Sequence, residues 1–259
     1  MIPTSCQVCV FLIEMKRLRV VLFFALVMSV FSAGAQERLT AYSTVDFTNH
    51  YLWRGQRLAD VSIQPVLGLK WKGLNFFVWG NTQVVPPAGE DPAKLEIDIF
   101  LKYQLTKRFN IALKDVYANS RGNGFFSYGQ IGKASHGVEV VLNYDWRYFV
   151  TEWTTTVFGH DGLNLKGERS YSSYLLTTVP FHIGKVNCGV LVGVVPYYTS
   201  RYDDNSHGFH VNMLSLKASY DIPISQRTGY KLPVYSQFMV NPSNAQAYLQ
   251  VGCKVILFN

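Results

Sequence analysis

The chain has 259 residues, of which 48% are hydrophobic, 15% aromatic and 16% charged, and its formal net charge is +7. The apolar content excludes an intrinsically disordered protein. The positive charge is not gathered into a lysine and arginine run or a basic helix, so the composition gives little support to nucleic-acid binding.

The N-terminal segment has the features of a secretion signal. Basic residues between positions 16 and 19 precede an apolar run that ends at about Phe31, and small residues follow up to Ala35. This pattern predicts a signal peptide over residues 15–35, cleaved after Ala35. A single anchoring helix is the alternative, but the apolar run is shorter than the roughly 20 residues that a spanning helix needs.

The position of this signal sets the expected domain boundaries. We interpret residues 1–14 as an extension of the gene model ahead of the true start at Met15. Residues 36–259 contain no repeat, linker or change of composition and are expected to form one domain.

Beyond Ala35 no apolar stretch approaches the length of a spanning helix, so strands must make any membrane crossing. Period-two runs between turn signals predict about twelve strands. They lie near residues 39–54, 61–72, 74–85, 94–105, 109–119, 134–145, 147–159, 170–181, 187–199, 209–222, 231–240 and 245–258. Most are about ten residues or longer, which is typical of membrane strands rather than of soluble sheets.

The segment 95–103, LEIDIFLKY, shows the alternation most clearly. Leu95, Ile97, Ile99 and Leu101 share one face, and the charged residues share the other. Alternation alone does not decide which face is buried, because a soluble sandwich and a lipid-embedded barrel give the same pattern. The strand lengths and the secretion signal together assign the apolar face to lipid.

The connections between the predicted strands alternate in length. Long polar ones such as SRGNGFFSYGQIGK follow short ones such as KGLN and LTKR. Two connections depart from this rule, because DIPISQRTGYK is long where a short turn is expected and NPSN is short where a long loop is expected. The alternation predicts an all-β fold, a closed antiparallel up-and-down transmembrane β-barrel with its turns and termini in the periplasm.

The last strand ends in QVGCKVILFN. Gln250, Gly252, Val255 and Leu257, with Phe258 beside them, resemble the C-terminal assembly signal of bacterial outer-membrane barrels. The resemblance implies that the protein resides in the bacterial outer membrane, with membrane lipid and the assembly machinery as its partners.

The first predicted strand contains FTNHYLWRGQ, and SIQPVLGLKWKG follows it. This stretch, about residues 43–82, resembles the TorF-type family of outer-membrane porins, which have no firmly assigned activity. The matching residues are Tyr51, Trp53, Arg54, Gly55, Gln64 and Pro65. The resemblance implies a barrel fold and leaves the function open.

Strand parity assigns a set of charged side chains to the barrel interior. The predicted pore-lining residues are Asp46, Arg54, Lys70, Glu96, Asp98, Lys102, Glu139, Glu152 and Lys217. Arg54 shares parity with Asp46, whereas Val45, Phe47 and Trp53 are expected to point outward. Arg54 is interpreted either as a constriction or solute contact, or as a structural ion pair that closes the top of the lumen. The mixed signs of the set predict no strong ion preference.

Catalytic and metal motifs are weak, so no catalytic residue, metal ligand or cofactor is predicted. His160 and Ser170 form a possible pair only on paper, since no nucleophile elbow surrounds any serine. The segment from Asp203 to Gly208 resembles a calcium loop, but Leu214 stands where an EF-hand needs an acidic residue. The predicted function is a passive channel for small polar solutes. A structural or surface-binding barrel without an open pore and an outer-membrane hydrolase are the alternatives.

Overall fold

The computed structural model describes residues 38–84, 95–119, 124–129, 131, 134–202 and 208–259. The predicted signal peptide and the fourteen residues before it lie outside this part of the chain. From Leu39 to Asn259 the chain forms one unit. Within the described ranges, no helix is long and apolar enough to cross a membrane.

The described secondary structure consists of strands separated by turns and loops. They are β1 Thr40–Thr48, β2 Tyr51–Trp53, β3 Gln56–Ala59, β4 Ser62–Trp71, β5 Leu74–Gln83, β6 Leu95–Gln104, β7 Phe109–Ala118, β8 His136–Asp145, β9 Val150–Gly159, β10 Ser173–Ile183, β11 Val186–Val195, β12 His210–Pro223, β13 Lys231–Asn241 and β14 Gln246–Phe258. Most are ten residues or longer because β-branched, aromatic and leucine side chains alternate with polar ones over that length.

Twelve of these strands form a closed barrel. From β4 to β14 each strand pairs antiparallel with its sequence neighbours, β4 pairs with β1, and β1 pairs with β14, where Val45 lies opposite Val255. Closure pairs the edge strands, which leaves no open sheet edge. The predicted all-β, closed, up-and-down barrel of about twelve strands is therefore confirmed.

The remaining two strands, β2 and β3, form a separate two-stranded sheet. The predicted strand over residues 39–54 is therefore wrong beyond Thr48. The chain bends away from the barrel wall after Thr48, and side chains there donate hydrogen bonds to the backbone carbonyl groups of the bend. The Thr48 hydroxyl donates to the carbonyls of His50 and Val251, and the Gln250 amide also donates to the His50 carbonyl.

The two ends of the barrel have different connections. One end, the short-turn rim, carries the turns 72–73, 105–108, 146–149, 184–185 and 224–230, as well as the start of β1 and the end of β14. The other end, the long-loop rim, carries the connections 49–61, 84–94, 119–135, 160–172, 196–209 and 242–245. The two connections whose lengths depart from the alternation lie on the rims that the strand order requires. The long connection 224–230 is on the short-turn rim, and the short connection 242–245 is on the long-loop rim.

The outer surface of the barrel is apolar. Eleven of the twelve barrel strands expose a large hydrophobic side chain, namely Phe47, Leu67, Phe76, Leu101, Leu113, Trp153, Val179, Val190, Leu216, Phe238 and Leu249. On β6, Leu95, Ile99 and Leu101 are exposed, whereas Asp98 is only 2% exposed. The apolar face of LEIDIFLKY thus points outward and its charges point inward, which is the arrangement of a barrel surrounded by lipid.

Asp115 is an acidic residue on the outward side of β7, and the loop that follows β7 shields it. Segment 124–129 brings Tyr128, whose hydroxyl donates to Asp115 Oδ2 at 2.8 Å, and His136 Nδ1 lies 3.0 Å from the same oxygen. Burial and the bond to Asp115 raise the pKa of Tyr128 to about 12. The carboxylate is therefore hydrogen-bonded on the face where an unpaired charge would be most costly.

Candidate functional site: the lumen and its inward-folded hairpin

A hairpin formed by β2 and β3 lies inside the barrel on the side of the long-loop rim. Arg54 and Gly55 at its tip have φ angles of 46° and 83°, which suits a tight two-residue hairpin turn. The tip lies close to strand β12 of the barrel wall. A Cβ atom on Gly55 would lie 2.2 Å from the backbone oxygen of Asn212, so only glycine fits there.

Polar side chains of the barrel wall hold the tip of the hairpin. The Asn212 side-chain amide on β12 donates to the Arg54 carbonyl at 2.9 Å. The Asn241 side-chain amide on β13 donates to the Gly55 carbonyl at 3.1 Å. Both asparagines are fully buried, so these bonds satisfy backbone groups that would otherwise be stranded inside the protein.

The base of the hairpin is fixed to the opposite flank of the barrel. The Tyr51 hydroxyl donates to Glu96 Oε1 on β6 at 3.1 Å, and the Tyr51 ring lies 5.3 Å from the ring of Trp79 on β5. Burial, together with the neighbouring carboxylates of Glu96 and Asp98, raises the pKa of Tyr51 well above its usual value, so the hydroxyl stays protonated and remains a donor.

An arginine cluster, consisting of Arg54, Arg201 and Glu139, lies beside the hairpin tip. Arg54 donates through both Nη atoms to the two oxygens of Glu139, at 3.3 and 3.0 Å. Arg201, from the loop between β11 and β12, donates to Glu139 Oε1 at 2.6 Å. Glu139 is fully buried. The cluster therefore carries one excess positive charge in a site removed from bulk water.

Aromatic rings enclose the arginine cluster. The Arg54 guanidinium lies 4.6 Å from the centroid of the Trp53 ring and 5.3 Å from that of Tyr174, and Arg201 lies 5.5 Å from that of Trp53. Tyr202 stacks on Trp53 and accepts a hydrogen bond from Arg54 Nη1. The predicted outward orientation of Trp53 is wrong, because residue 53 belongs to the hairpin and packs against these groups.

The electrostatics keep Arg54 charged. Burial alone would lower the pKa of Arg54, but the Glu139 carboxylate, with smaller contributions from Tyr202 and Glu152, raises it above its usual value. The pKa of Tyr202 is also raised, chiefly by burial. The guanidinium and the phenol therefore keep their protons, and the cluster is held by charge and hydrogen bonding together.

Two further ion pairs lie on the inner wall. Asp98 on β6 and Lys114 on β7 are 2.7 Å apart and both buried, and Asp46 on β1 and Lys254 on β14 are 3.4 Å apart. The other predicted pore-lining residues occupy strand positions whose side chains alternate toward the inside of the barrel. Among them Glu96 accepts the Tyr51 bond, Glu152 is half-buried, and Lys70, Lys102 and Lys217 are at least partly exposed inside the barrel.

The sequence interpretation missed Lys114 and Arg201. In IALKDV a lysine and an aspartate are adjacent, so one of them must face outward. The pattern gives no sign that a loop covers the aspartate. Arg201 lies in the polar loop after β11, where strand parity does not apply. The exposed Ile111 and Leu113 share parity with Asp115, so alternation could have placed Lys114 inside, whereas only the three-dimensional fold brings Arg201 into the lumen.

A cavity of about 260 Å³ remains between the hairpin and the wall. Its polar lining comes from Tyr51 and Gln56 of the hairpin, from Asn81, Glu96 and Lys114 of the wall and from Arg201 of a loop, and apolar residues such as Leu58 and Val116 complete it. The cavity is large enough for several water molecules, each of which occupies about 30 Å³ in the liquid. The space beside the hairpin therefore offers hydrogen-bonding groups and is able to hold water or a small solute.

The residues of the predicted assembly signal lie on β14. Gln250 is buried and faces the interior, and Leu257 and Phe258 are exposed at the end of the strand. Gly252 lies opposite Tyr235 of β13, and a Cβ atom there would be 2.6 Å from the tyrosine ring. Glycine at this position thus allows an inward tyrosine to lie flat across the neighbouring strand.

Replacing Gly252 with alanine should therefore destabilise the barrel by about 1 to 3 kcal/mol, because the added methyl group collides with the ring of Tyr235 and with the carbonyl oxygen of Phe47. The free energy of unfolding in urea measures this change. Gly189→Ala is the matched control, since a Cβ on Gly189 meets its neighbours at ordinary distances of 3.7 Å or more. Equal losses in the two variants would show that the contact with Tyr235 is not the cause.

The weak catalytic and metal candidates gain no support. The Ser170 hydroxyl donates to Gly162 O and Thr199 Oγ1, and it also lies 2.8 Å from Ser172 Oγ, which suits a loop scaffold rather than a nucleophile. Within the described part of the chain, no three His, Cys, Asp or Glu side chains are placed to hold a metal ion. Residues 203–207 of the calcium-like segment lie outside the described residues.

Comparison with known proteins adds no assignment, since no family model matches the sequence and no curated protein matches it significantly. The fold is more informative about the class of protein. A twelve-stranded closed barrel with an apolar exterior and a charged interior fits an outer-membrane barrel protein.

Proposed function

We propose that this protein resides in the bacterial outer membrane and acts as a passive channel for small polar solutes, with the hairpin of β2 and β3 as its constriction. The observation that carries the proposal is the polar cavity of about 260 Å³ beside the hairpin. Its lining includes hydrogen-bonding and charged groups such as Asn81, Glu96 and Lys114 beside apolar side chains, which suits a water-filled lumen. The resemblance of residues 43–82 to TorF-type porins points to the same class of protein.

A barrel without an open pore is the second candidate. The arginine cluster favours it, because the bidentate contact between Arg54 and Glu139 ties the hairpin tip to the wall. In that case the exposed loops of the long-loop rim would carry the function, by binding a partner at the cell surface. The two candidates differ in whether solutes cross a bilayer that contains the folded protein.

Swelling of lipid vesicles in solutions of graded sugars and polyols separates the two candidates. The channel proposal predicts swelling with small polyols and a rate that falls steeply as the solute grows to a disaccharide, because the hairpin narrows the lumen. Vesicles that contain folded protein and do not swell with the smallest polyol would contradict the channel and favour the closed barrel.

Arg54→Ala should raise the size limit in the same assay, since it removes the side chain that fixes the hairpin tip to Glu139. Arg57→Ala is the matched control. Arg57 lies on the same hairpin but is exposed, and its ion pair is with Asp60 of the same loop. An unchanged size limit in Arg54→Ala would show that the tip of the hairpin does not constrict the pathway.

A further inference from the structure

We infer that the lumen selects small anions over cations, an inference that rests on the channel function proposed above. Two independent features of the charge distribution carry it. One is the composition of the short-turn rim, and the other is the pattern of ion pairing on the inner wall.

The short-turn rim is strongly basic. Among the described residues, its turns, the strand ends beside them and the start of β1 hold eight basic and two acidic residues, a net charge of +6. The basic residues are Arg38, Lys72, Lys107, Arg108, Arg147, Lys185, Arg227 and Lys231, and the acidic ones are Asp145 and Asp221. A ring of one sign around a low-dielectric opening concentrates ions of the opposite sign at its mouth. The short-turn mouth therefore attracts anions.

The inner wall continues this bias. Among the described residues, and apart from the Arg57–Asp60 pair of the hairpin, seven basic side chains face five acidic ones across the lumen and the hairpin, a net charge of +2. The basic residues are Arg54, Lys70, Lys102, Lys114, Arg201, Lys217 and Lys254, and the acidic ones are Asp46, Glu96, Asp98, Glu139 and Glu152. The set predicted from strand parity had four basic and five acidic residues, because it did not include Lys114, Arg201 and Lys254.

In the described part of the chain, ion pairing leaves three basic and two acidic groups of the inner wall outside salt bridges, so the bias remains positive. Three of the five carboxylates already have basic partners: Asp46 pairs with Lys254, Asp98 with Lys114, and Glu139 with two arginines. Among the described residues, the salt bridges of the inner wall do not include Lys70, Lys102 or Lys217. These three ammonium groups are at least partly exposed inside the barrel. They can interact with a passing anion, whereas the two remaining carboxylates are Glu96, which accepts the Tyr51 hydrogen bond, and the half-buried Glu152.

The favoured solutes are therefore small anions, inorganic or carrying a carboxylate or phosphate group, that fit beside the hairpin. A lumen potential of about one kT would raise the anion concentration and lower the cation concentration by about 2.7-fold each, so anions would be favoured about seven-fold. The preference should weaken at high salt, because the Debye length falls from about 10 Å at 0.1 M to about 3 Å at 1 M.

The test is the reversal potential of single channels in a gradient of potassium chloride across a planar bilayer of neutral phosphatidylcholine. A neutral lipid removes the contribution of charged headgroups. The unmodified protein should favour chloride over potassium about seven-fold. The triple variant Lys70→Gln, Lys102→Gln, Lys217→Gln leaves four basic against five acidic wall residues, so its chloride preference should fall well below that of the unmodified protein, with only the basic short-turn rim still favouring anions.

Lys166→Gln is the control, since Lys166 is exposed on the long-loop rim away from the lumen and its replacement should leave the reversal potential unchanged. Heat-dependent mobility in detergent gels verifies that each variant is folded. Channels that conduct without chloride preference, or a triple variant that keeps the original preference, would overturn the inference and leave the channel function standing. Folded protein that gives no conductance at all would overturn both.

Discussion

Replacing Glu139 with glutamine should destabilise the barrel by about 3 to 5 kcal/mol, because the change leaves two buried guanidinium groups without their carboxylate. Both arginines contact Glu139 directly, at 3.0 Å for Arg54 and 2.6 Å for Arg201. Glutamine keeps the shape of the side chain, so the loss measures charge rather than packing. The free energy of unfolding in urea, with the protein in vesicles, gives the value.

Glu152→Gln is the matched control for this prediction. Glu152 also faces the lumen, but it is half-buried and lies outside the arginine cluster, so its replacement should cost less than about 1 kcal/mol. Adding Arg54→Gln and Arg201→Gln to Glu139→Gln should restore much of the stability, because no unpaired buried charge remains. Equal losses for the two glutamates, or no recovery in the triple variant, would contradict this account of the cluster.

Ile99→Arg should impair insertion into lipid by about 2 to 4 kcal/mol, the usual cost of a cation on the lipid face of a barrel near the bilayer midplane. Ile99 lies in the middle of β6 and is 37% exposed on the outer surface. The free energy of folding into lipid vesicles measures the effect.

Leu105→Arg is the control that introduces the same side chain outside the centre of the membrane. Leu105 is exposed on the short-turn rim directly after β6, so a charge there would reach the membrane interface and cost about 0 to 1 kcal/mol. If both arginines are tolerated equally, the exterior of β6 does not face hydrocarbon, and the assignment of the apolar surface to lipid is wrong.

The barrel itself could be predicted from the sequence because its signals are local. Alternation along ten-residue runs gives the strands, and loop length gives the rims. In LEIDIFLKY the same alternation places Leu95, Ile99 and Leu101 outside and Asp98 inside, as the structure has them. Strand pairing between neighbours follows directly from short connections.

The hairpin could not be predicted in the same way. Residues 51–53 continue the alternation of β1, so the pattern extended that strand to residue 54, whereas the chain turns inward after Thr48. The contacts that hold the hairpin in the lumen include residues more than 80 positions away, such as Glu139 and Asn212. Periodicity contains no information about partners at that separation.

The same limit applies to the charges of the lumen. Parity places Asp98 inward but does not identify Lys114 as its partner at 2.7 Å. The pair changes what a neutral substitution at Asp98 does, since Asp98→Asn would leave a buried ammonium group unpaired. At Asp115 parity places a carboxylate on the outer surface and does not reveal its partner either. The loop residue Tyr128 donates a hydrogen bond to it, which lowers the cost of a charge there.

The central claim is that the hairpin of β2 and β3 narrows a lumen that crosses the membrane, and single-channel conductance tests it most directly. The measurement compares the unmodified protein with a variant in which residues 50–60 are replaced by a short glycine and serine turn, each shown to be folded. The account predicts small, discrete conductance steps for the unmodified barrel and steps several-fold larger for the variant, because the obstruction is gone. Steps of equal size in the two proteins, or silence from both, would contradict it.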